Sequence, residues 1–428
     1  MTQSEQLGRR MRRLRVERGL TQADLSAPDY TAAYISTIEA GRRIPSPAAL
    51  AHFARKLEVD PEELATGRPT ALPADLRFKL HDGLLSLYSA DYEAADKLFL
   101  QIEEAASTYG MDRIRAQARV GLAISAERRG DPSEASKNFE EARVLLQNEP
   151  ASLWVEAIAG LARCAQLGGE VREAIHILET YLLVLKKNSL PDPLALMRAH
   201  SSLIWPYTEV GLFKKAREAA AEALRLEPKV DDANQVANMH LNVARELLRE
   251  GRSGDAMTSL QRAEDLYTTL NWKTEIARAH AARGIVLAEE GDLEGGRKEL
   301  QVSLKLIEGT PDSLIQSRAL NELAIVERMA GNDTQAVEIL TRSLEMLVDS
   351  DVVELALANH EMARCLSRSN PKKAEEHLNT AIRLYERADK SLQAATAYRE
   401  LGDLLSEQGE LDRGRSAYRE GLVSLEPA

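Results

Sequence analysis

The chain has few aromatic residues, 4% of its 428, and only two cysteines, Cys164 and Cys365. Scarce aromatics beside recurring Ala, Leu, Glu and Arg disfavour sheets and favour helices, so an all-α protein is expected. Two cysteines this far apart exclude a disulfide framework and suit a reducing compartment, with both thiols expected to be buried. No apolar run approaches the roughly 20 residues that span a bilayer. The start, MTQSEQLGRRMRR, also lacks the apolar core of a signal peptide. A soluble, cytoplasmic protein with no membrane partner is expected. The sequence has no P-loop, no glycine-rich dinucleotide fingerprint, no nucleophile motif and no ligand cluster at metal spacing. The expectation is therefore no enzyme, no cofactor and no metal site. Of the eight histidines, His200, His240 and His280 fall 40 residues apart and read as equivalent packing positions of a repeat.

What is present is ample apolar material, 44% of the residues, enough for two or three domains or one extended array. The net charge of −12 argues against wholesale coating of nucleic acid, yet it is unevenly spread. Residues 1–70 hold 11 Lys+Arg against 9 Asp+Glu, a balance of +2, and the remainder carries −14. The two parts have different electrostatic roles.

In residues 1–70, Leu7, Met11 and Leu14 form an apolar stripe, with Arg9, Arg10, Arg12, Arg13 and Arg15 mostly off it. Gly19 ends this helix, and Thr21 offers an N-cap to a second one over QADLS. Pro28 disfavours helical geometry at Ala27, so the second helix is short. Thr31 caps a third helix with Ile35 and Ile38 inward, and Gly41 stops it. Ser46 and Pro47 open a fourth helix with Leu50, Phe53, Ala54 and Leu57 inward, and VDPEEL opens a fifth.

Five short helices carrying LTQADL, YISTIEAGRR and PSPAALAHFARKLEVDPEEL in that order resemble the Cro/C1-type helix-turn-helix domain, over essentially all of residues 1–70. The resemblance implies double-stranded DNA as partner and residues 31–40 as the recognition helix. By it, Thr21 and Gln22 begin the helix that crosses the phosphate backbone. Thr31, Ala32, Ala33, Tyr34, Ser36 and Thr37 face the groove, and Arg42 and Arg43 flank it. No side chain suited to bidentate base contact stands at these positions, so methyl contacts, Tyr34, Thr37 and DNA shape would carry specificity. The turn SAPDYTAAY departs from the family in being one residue shorter and lacking the customary glycine. That would alter the angle of the recognition helix.

Beyond residue 70 one unit repeats about nine times. Ala95, Ala135, Ala174, Ala216, Ala256, Gly296, Ala336, Ala374 and Gly414 follow one another at 38 to 42 residues. Eleven or twelve residues before each stand Gly83, Ala123, Ala162, Ile204, Ala244, Gly284, Ala324, Ala363 and Gly402, with Ile204 the one large residue. Turns such as RGDPSEA and EGDLEGG fall between the two positions, giving helix, turn, helix. Small residues suit antiparallel helices in close approach. This spacing resembles the tetratricopeptide repeat, over residues 75–428, and implies a right-handed superhelical array whose concave face takes a peptide or protein effector. Inner-face positions read from the repeat alignment are Arg163, Arg198, Trp205, Asn238, Asn242, Arg245, Arg278, Arg318, Asn321, Arg364 and Arg399. Of these, Asn242, Arg245, Arg278 and Asn321 are the strongest candidates for peptide carboxylates and backbone amides. Pro206 inside a first helix reads as a kink, either a hinge or a curvature adjustment.

A DNA-binding head joined to such an array resembles the peptide-responsive regulators of Gram-positive bacteria. That resemblance implies a homodimeric transcriptional regulator whose operator affinity answers to an effector. The alternative is an adaptor whose array holds a protein partner, with DNA binding vestigial or constitutive.

Overall fold

The computed structural model describes residues 3–187, 192–310, 312–347, 352–388 and 390–425. Regular structure among the described residues is entirely helical. Chain packing divides it into two compact units, residues up to His81 with Leu100–Arg115, and Asp82–Phe99 with the residues from Ala116 onward. None of the three crossings between them falls at the change of pattern near residues 70–75.

The first unit begins with five helices, α1 (Gln3–Glu17), α2 (Gln22–Ser26), α3 (Ala32–Glu39), α4 (Pro47–Lys56) and α5 (Pro61–Thr66). Their ends are set by the expected chemistry. Thr21 caps α2 with a reciprocal bond to Asp24, Thr31 caps α3, and Ser46 and Asp60 cap α4 and α5 with proline next in the chain. Leu7, Met11, Leu25, Ile35, Ile38, Phe53, Leu57 and Leu64 close one buried core. Gly8 is indispensable to it, because a Cβ there would lie 2.3 Å from the Ile38 carbonyl oxygen.

Among the described residues the remaining α-helices form nine successive pairs: α6 (Leu72–Leu87) with α7 (Tyr92–Thr108), α8 (Asp112–Arg128) with α9 (Pro132–Leu145), and α10 (Val155–Leu167) with α11 (Val171–Lys186). They continue as α12 (Pro193–Glu209) with α13 (Phe213–Leu226), α14 (Ala233–Arg249) with α15 (Ser253–Leu270), and α16 (Lys273–Glu289) with α17 (Leu293–Ile307). Last come α18 (Ser313–Met329) with α19 (Asp333–Met346), α20 (Val352–Leu366) with α21 (Pro371–Arg387), and α22 (Ser391–Glu407) with α23 (Leu411–Val423).

The small residues sit where the pairs touch. In the sixth pair a Cβ on Gly284 would come within 2.8 Å of Leu300 Cγ and 3.0 Å of the Gly296 carbonyl. One on Gly296 would meet the Gly284 carbonyl at 2.8 Å. Ile204 is accommodated because its partner helix α13 buries only alanines and one leucine, Ala216, Ala219, Ala220, Ala223 and Leu226. Pro206 does not break α12, which continues helical to Glu209. The ring removes the N–H that the Ser202 carbonyl would otherwise accept from. Both cysteines are buried, and burial pushes the Cys164 thiol up to about 12 and Cys365 to about 11.

Within the second unit the array returns upon itself. The Tyr88 ring stacks on Trp272 with centroids 3.7 Å apart and planes 14° from parallel. Thr274 Oγ1 donates to the Tyr88 carbonyl at 2.8 Å, Tyr92 donates to Asp312, and Arg128 donates to Glu275. Glu275 is 1% exposed. Burial opposes its ionisation, but Arg128 and Arg278 outweigh that and hold the carboxyl below its ordinary range. Further along, Lys390 Nζ lies 3.5 Å from Glu209. These contacts join helix pairs four to six places apart along the array.

Because the Gly284 position faces backbone as well as Leu300, Gly284→Val forces the pair apart. Urea denaturation followed by far-UV circular dichroism is expected to show a loss of about 1–3 kcal/mol, and an unchanged midpoint would contradict the close-contact account.

Candidate nucleic-acid interface and lumenal site

Helix α3 is held by Ile35 and Ile38, both fully buried, so its other side faces out. Ala32, Ala33 and Ser36 are exposed there, while Tyr34 and Thr37 are half-buried. Thr31 Oγ1 accepts from the Tyr34 N–H at 3.2 Å, and Thr37 Oγ1 donates to the Tyr34 carbonyl at 2.8 Å. Tyr34 is not a free probe of bases. Its ring stacks on Tyr30 at 5.6 Å, and the Arg43 guanidinium lies 4.9 Å from its centroid. Arg42 and Arg43 are both exposed, and neither has an acid partner among the described residues.

Gln22 has another engagement. Its Nε2 donates to Glu39 Oε2 at 2.9 Å, and the same carboxylate takes Arg15 Nε at 2.6 Å and Arg15 Nη2 at 3.0 Å. Arg15 also donates to the Leu20 carbonyl at 2.8 Å. This knot ties α1, α2 and α3 together and fixes how α3 is presented. Sequence reasoning missed Arg15 and Glu39, since one reads as a solvated charge and the other as helix surface.

In the array, the inner-face expectation fails for Asn321, and Asn238 is part-buried with its amide engaged. Asn321 is fully buried; its Nδ2 donates to Glu354 Oε2 at 3.1 Å and its Oδ1 accepts from Ser343 at 2.7 Å. Asn238 donates to Asn234 at 2.7 Å and accepts from Tyr267 at 3.1 Å. Both amides are occupied, Asn238 by a neighbour on its own helix and by Tyr267 on the paired one, and Asn321 by Ser343 on the paired helix and Glu354 on the next pair.

Most of the expected arginines are ion-paired. Arg163 meets Glu127 at 2.8 Å, Arg318 meets Glu354 at 3.0 Å, and Arg364 meets Glu400 at 2.8 Å. Arg278 pairs with Glu275, and Arg399 approaches Glu400 at 3.5 Å. Arg198, 8% exposed, reaches Glu156 only at 3.6 Å, and its Nε has no hydrogen-bond partner. Arg245 differs from all of these. It has no ion pair or hydrogen bond among the described residues and lies 5.5 Å over the Trp205 indole, itself 44% exposed. Although the side chain is exposed, partial desolvation by the surrounding helices and then Arg278 depress its pKa, with Glu322 pulling the other way and Arg318 adding to the depression.

Glu322 on α18 belongs to the same neighbourhood. Burial first and Glu354 second push its carboxyl up to about 7, against the pull of Arg245, Arg318 and Arg278. Its Oε2 is buried without a hydrogen-bond partner. A small cavity of about 50 Å³ lies among α10, α12 and α14, bordered by Arg198, Trp205, Pro206 and Asn242. A wider groove of about 710 Å³ runs along α9, α10 and α11, but Glu140, Glu170 and Glu173 line it and its Arg143 is already paired with Glu140. No group of three potential metal ligands occurs among the described residues. No helix among them is long and apolar enough to cross a membrane.

Comparison with known families places a helix-turn-helix domain model over residues 6–66 and tetratricopeptide models over residues 275–347 and 366–427. The chain carries a helix-turn-helix domain followed by tetratricopeptide repeats. No curated protein sequence matches it. Among solved structures, the apo form of the quorum sensor NprR from B. thuringiensis is similar at 14% identity and a TM-score of 0.52, covering 82% of this chain and 99% of that one. A Rap protein complexed with competence and sporulation factor is similar at 15% identity and a TM-score of 0.50, covering 79% and 99%. At these identities the likeness is one of fold. The helix-turn-helix domain thus accounts for α1 to α5, and the tetratricopeptide architecture for the repeated close contacts of the helix pairs.

Glu322 tests the charge balance of the array. Its carboxyl is raised in the folded chain, so stability is greatest below the unfolded value near 4.5 and falls as pH rises towards 7. Glu322→Gln is expected to raise the thermal midpoint at pH 8 by an amount equivalent to about 1–3 kcal/mol. Near pH 4 the variant and the parent should melt together.

Proposed function

We propose that this chain is a DNA-binding transcriptional regulator whose tetratricopeptide array receives a peptide effector and alters operator binding in response. One observation supports the reading most. The exposed side of α3 is flanked by Arg42 and Arg43, two unpaired exposed cations, while Arg15, Arg163, Arg278, Arg318 and Arg364 all have acid partners. Free guanidinium groups beside a helix of this kind suit phosphate oxygens. Ala32, Ala33 and Ser36 offer only small contacts to base edges, so backbone contacts carry most of the affinity and two heads in a homodimer supply the rest of the specificity.

The array supplies the response. An effector bound preferentially to one arrangement of the helix pairs shifts the population towards it, and the spacing of the two heads follows. The similarity in fold to NprR and to a Rap protein in complex with competence and sporulation factor supports a peptide as the effector class. The protein acts as a cytoplasmic regulator without catalytic activity of its own.

Mobility-shift assays with genomic fragments across a salt series test this. The parent is expected to retard particular fragments. The double variant Arg42→Ala, Arg43→Ala is expected to bind all fragments more weakly, with a salt slope shallower by about 4 because each of the two heads loses two phosphate contacts. Retardation that shows no sequence preference, or a double variant indistinguishable from the parent, overturns the reading.

A further inference from the structure

Resting on the reading of the array as a peptide receptor, we propose that the cavity among α10, α12 and α14 is a carboxylate pocket. It takes an acidic group of the effector, with Arg198 and Asn242 as donors and Arg245, seated on the Trp205 indole, as a clamp beside it.

The cavity's chemistry is one-sided. Arg163, Gln166, Arg198, Ser202 and Asn242 line it with Trp205, and no aspartate or glutamate does. Not all of those donors are available. Arg163 is neutralised by Glu127, and Gln166 Nε2 donates to Glu209 at 2.8 Å. Arg198 is buried, yet its Nε–H has no acceptor, and the nearest carboxylate stands at 3.6 Å. Asn242 makes no hydrogen bond among the described residues. A buried guanidinium N–H without an acceptor is costly, and a carboxylate oxygen removes that cost at the moment of binding.

Size narrows the ligand. A single water needs about 10–15 Å³ of such space, so a cavity of about 50 Å³ admits a carboxylate-sized group and excludes a bulky side chain. The body of the ligand must therefore lie outside, along the first helices. There Arg245 makes no ion pair among the described residues; Arg278 and Arg318 repel it, Glu322 offsets part of that repulsion, and cation–π attraction holds it to the Trp205 face. An anion entering beside Trp205 relieves that repulsion. A paired arginine could not respond in this way, because its charge is already satisfied.

The test uses the full chain and intrinsic tryptophan fluorescence, titrated with three pools of acetylated hexapeptides that contain no Trp or Tyr. One pool has a free C-terminal carboxylate and no Asp or Glu, one is the same pool amidated, and one is amidated but contains a single Asp. The free-acid or the Asp pool is expected to half-saturate at a concentration at least tenfold below the amidated acid-free pool, and which of the two does so identifies a terminal or a side-chain carboxylate. Arg198→Met and Asn242→Ala are each expected to erase that difference. Asn242 has no bond to lose, so its variant decides the matter should Arg198→Met fail to fold by circular dichroism. Equal half-saturation by all three pools, or a full preference retained in Asn242→Ala, overturns the carboxylate pocket while leaving the peptide receptor standing. Binding of no pool overturns both.

Discussion

Everything in the array depends on how closely two antiparallel helices approach. At Gly284 and Gly296 the backbones face each other with no room for a methyl group on either side. A larger side chain at such a point would push the helices apart, and the displacement would add at every pair, since each pair is the platform for the next. The same rule explains the exception. Ile204 occupies a small-residue position, and the helix paired with its own, α13, buries four alanines and a single leucine.

Close packing of the helices leaves charge as the variable along their more exposed sides. The array is acidic overall, and its glutamates are spent on arginines: Glu127 on Arg163, Glu354 on Arg318, Glu400 on Arg364. Glu400 shows how far this goes. Burial would raise its carboxyl, but His360 and Arg364 bring it down to about 2. Against that background an arginine without an ion pair is conspicuous on physical grounds. Arg245 is such a residue, and Glu322 is its counterpart, a carboxyl whose nearest influences are burial and another glutamate.

Much of this was legible in the chain. The caps at Thr21, Thr31 and Ser46, the inward Ile35 and Ile38, and the spacing of the small residues follow from local chemistry, and local chemistry is what a sequence displays. The inner-face residues were only partly readable. Periodicity identifies the helix on which Asn238 and Asn321 lie, but a rotation of one position separates a residue facing the lumen from one facing the partner helix. Asn321 falls on the latter side, where Ser343 bonds it, and Asn238 lies part-buried with Tyr267 bonding it from the paired helix. The knot of Arg15, Gln22 and Glu39 was hidden for another reason, because its members lie on three helices and none has an unusual local pattern.

Least legible of all was the meeting of Tyr88, Tyr92 and Arg128 with Trp272, Thr274, Glu275 and Asp312, partners up to 220 residues apart. Its mechanical meaning is that the coil is not an open spring. A spring stretches by sharing small rotations among its turns, but a coil fastened to itself cannot lengthen until the fastening lets go. The aromatic stack, the hydroxyl bonds and the ion pair at that point therefore yield together, which gives such a coil a threshold where an unfastened one would have a gradient.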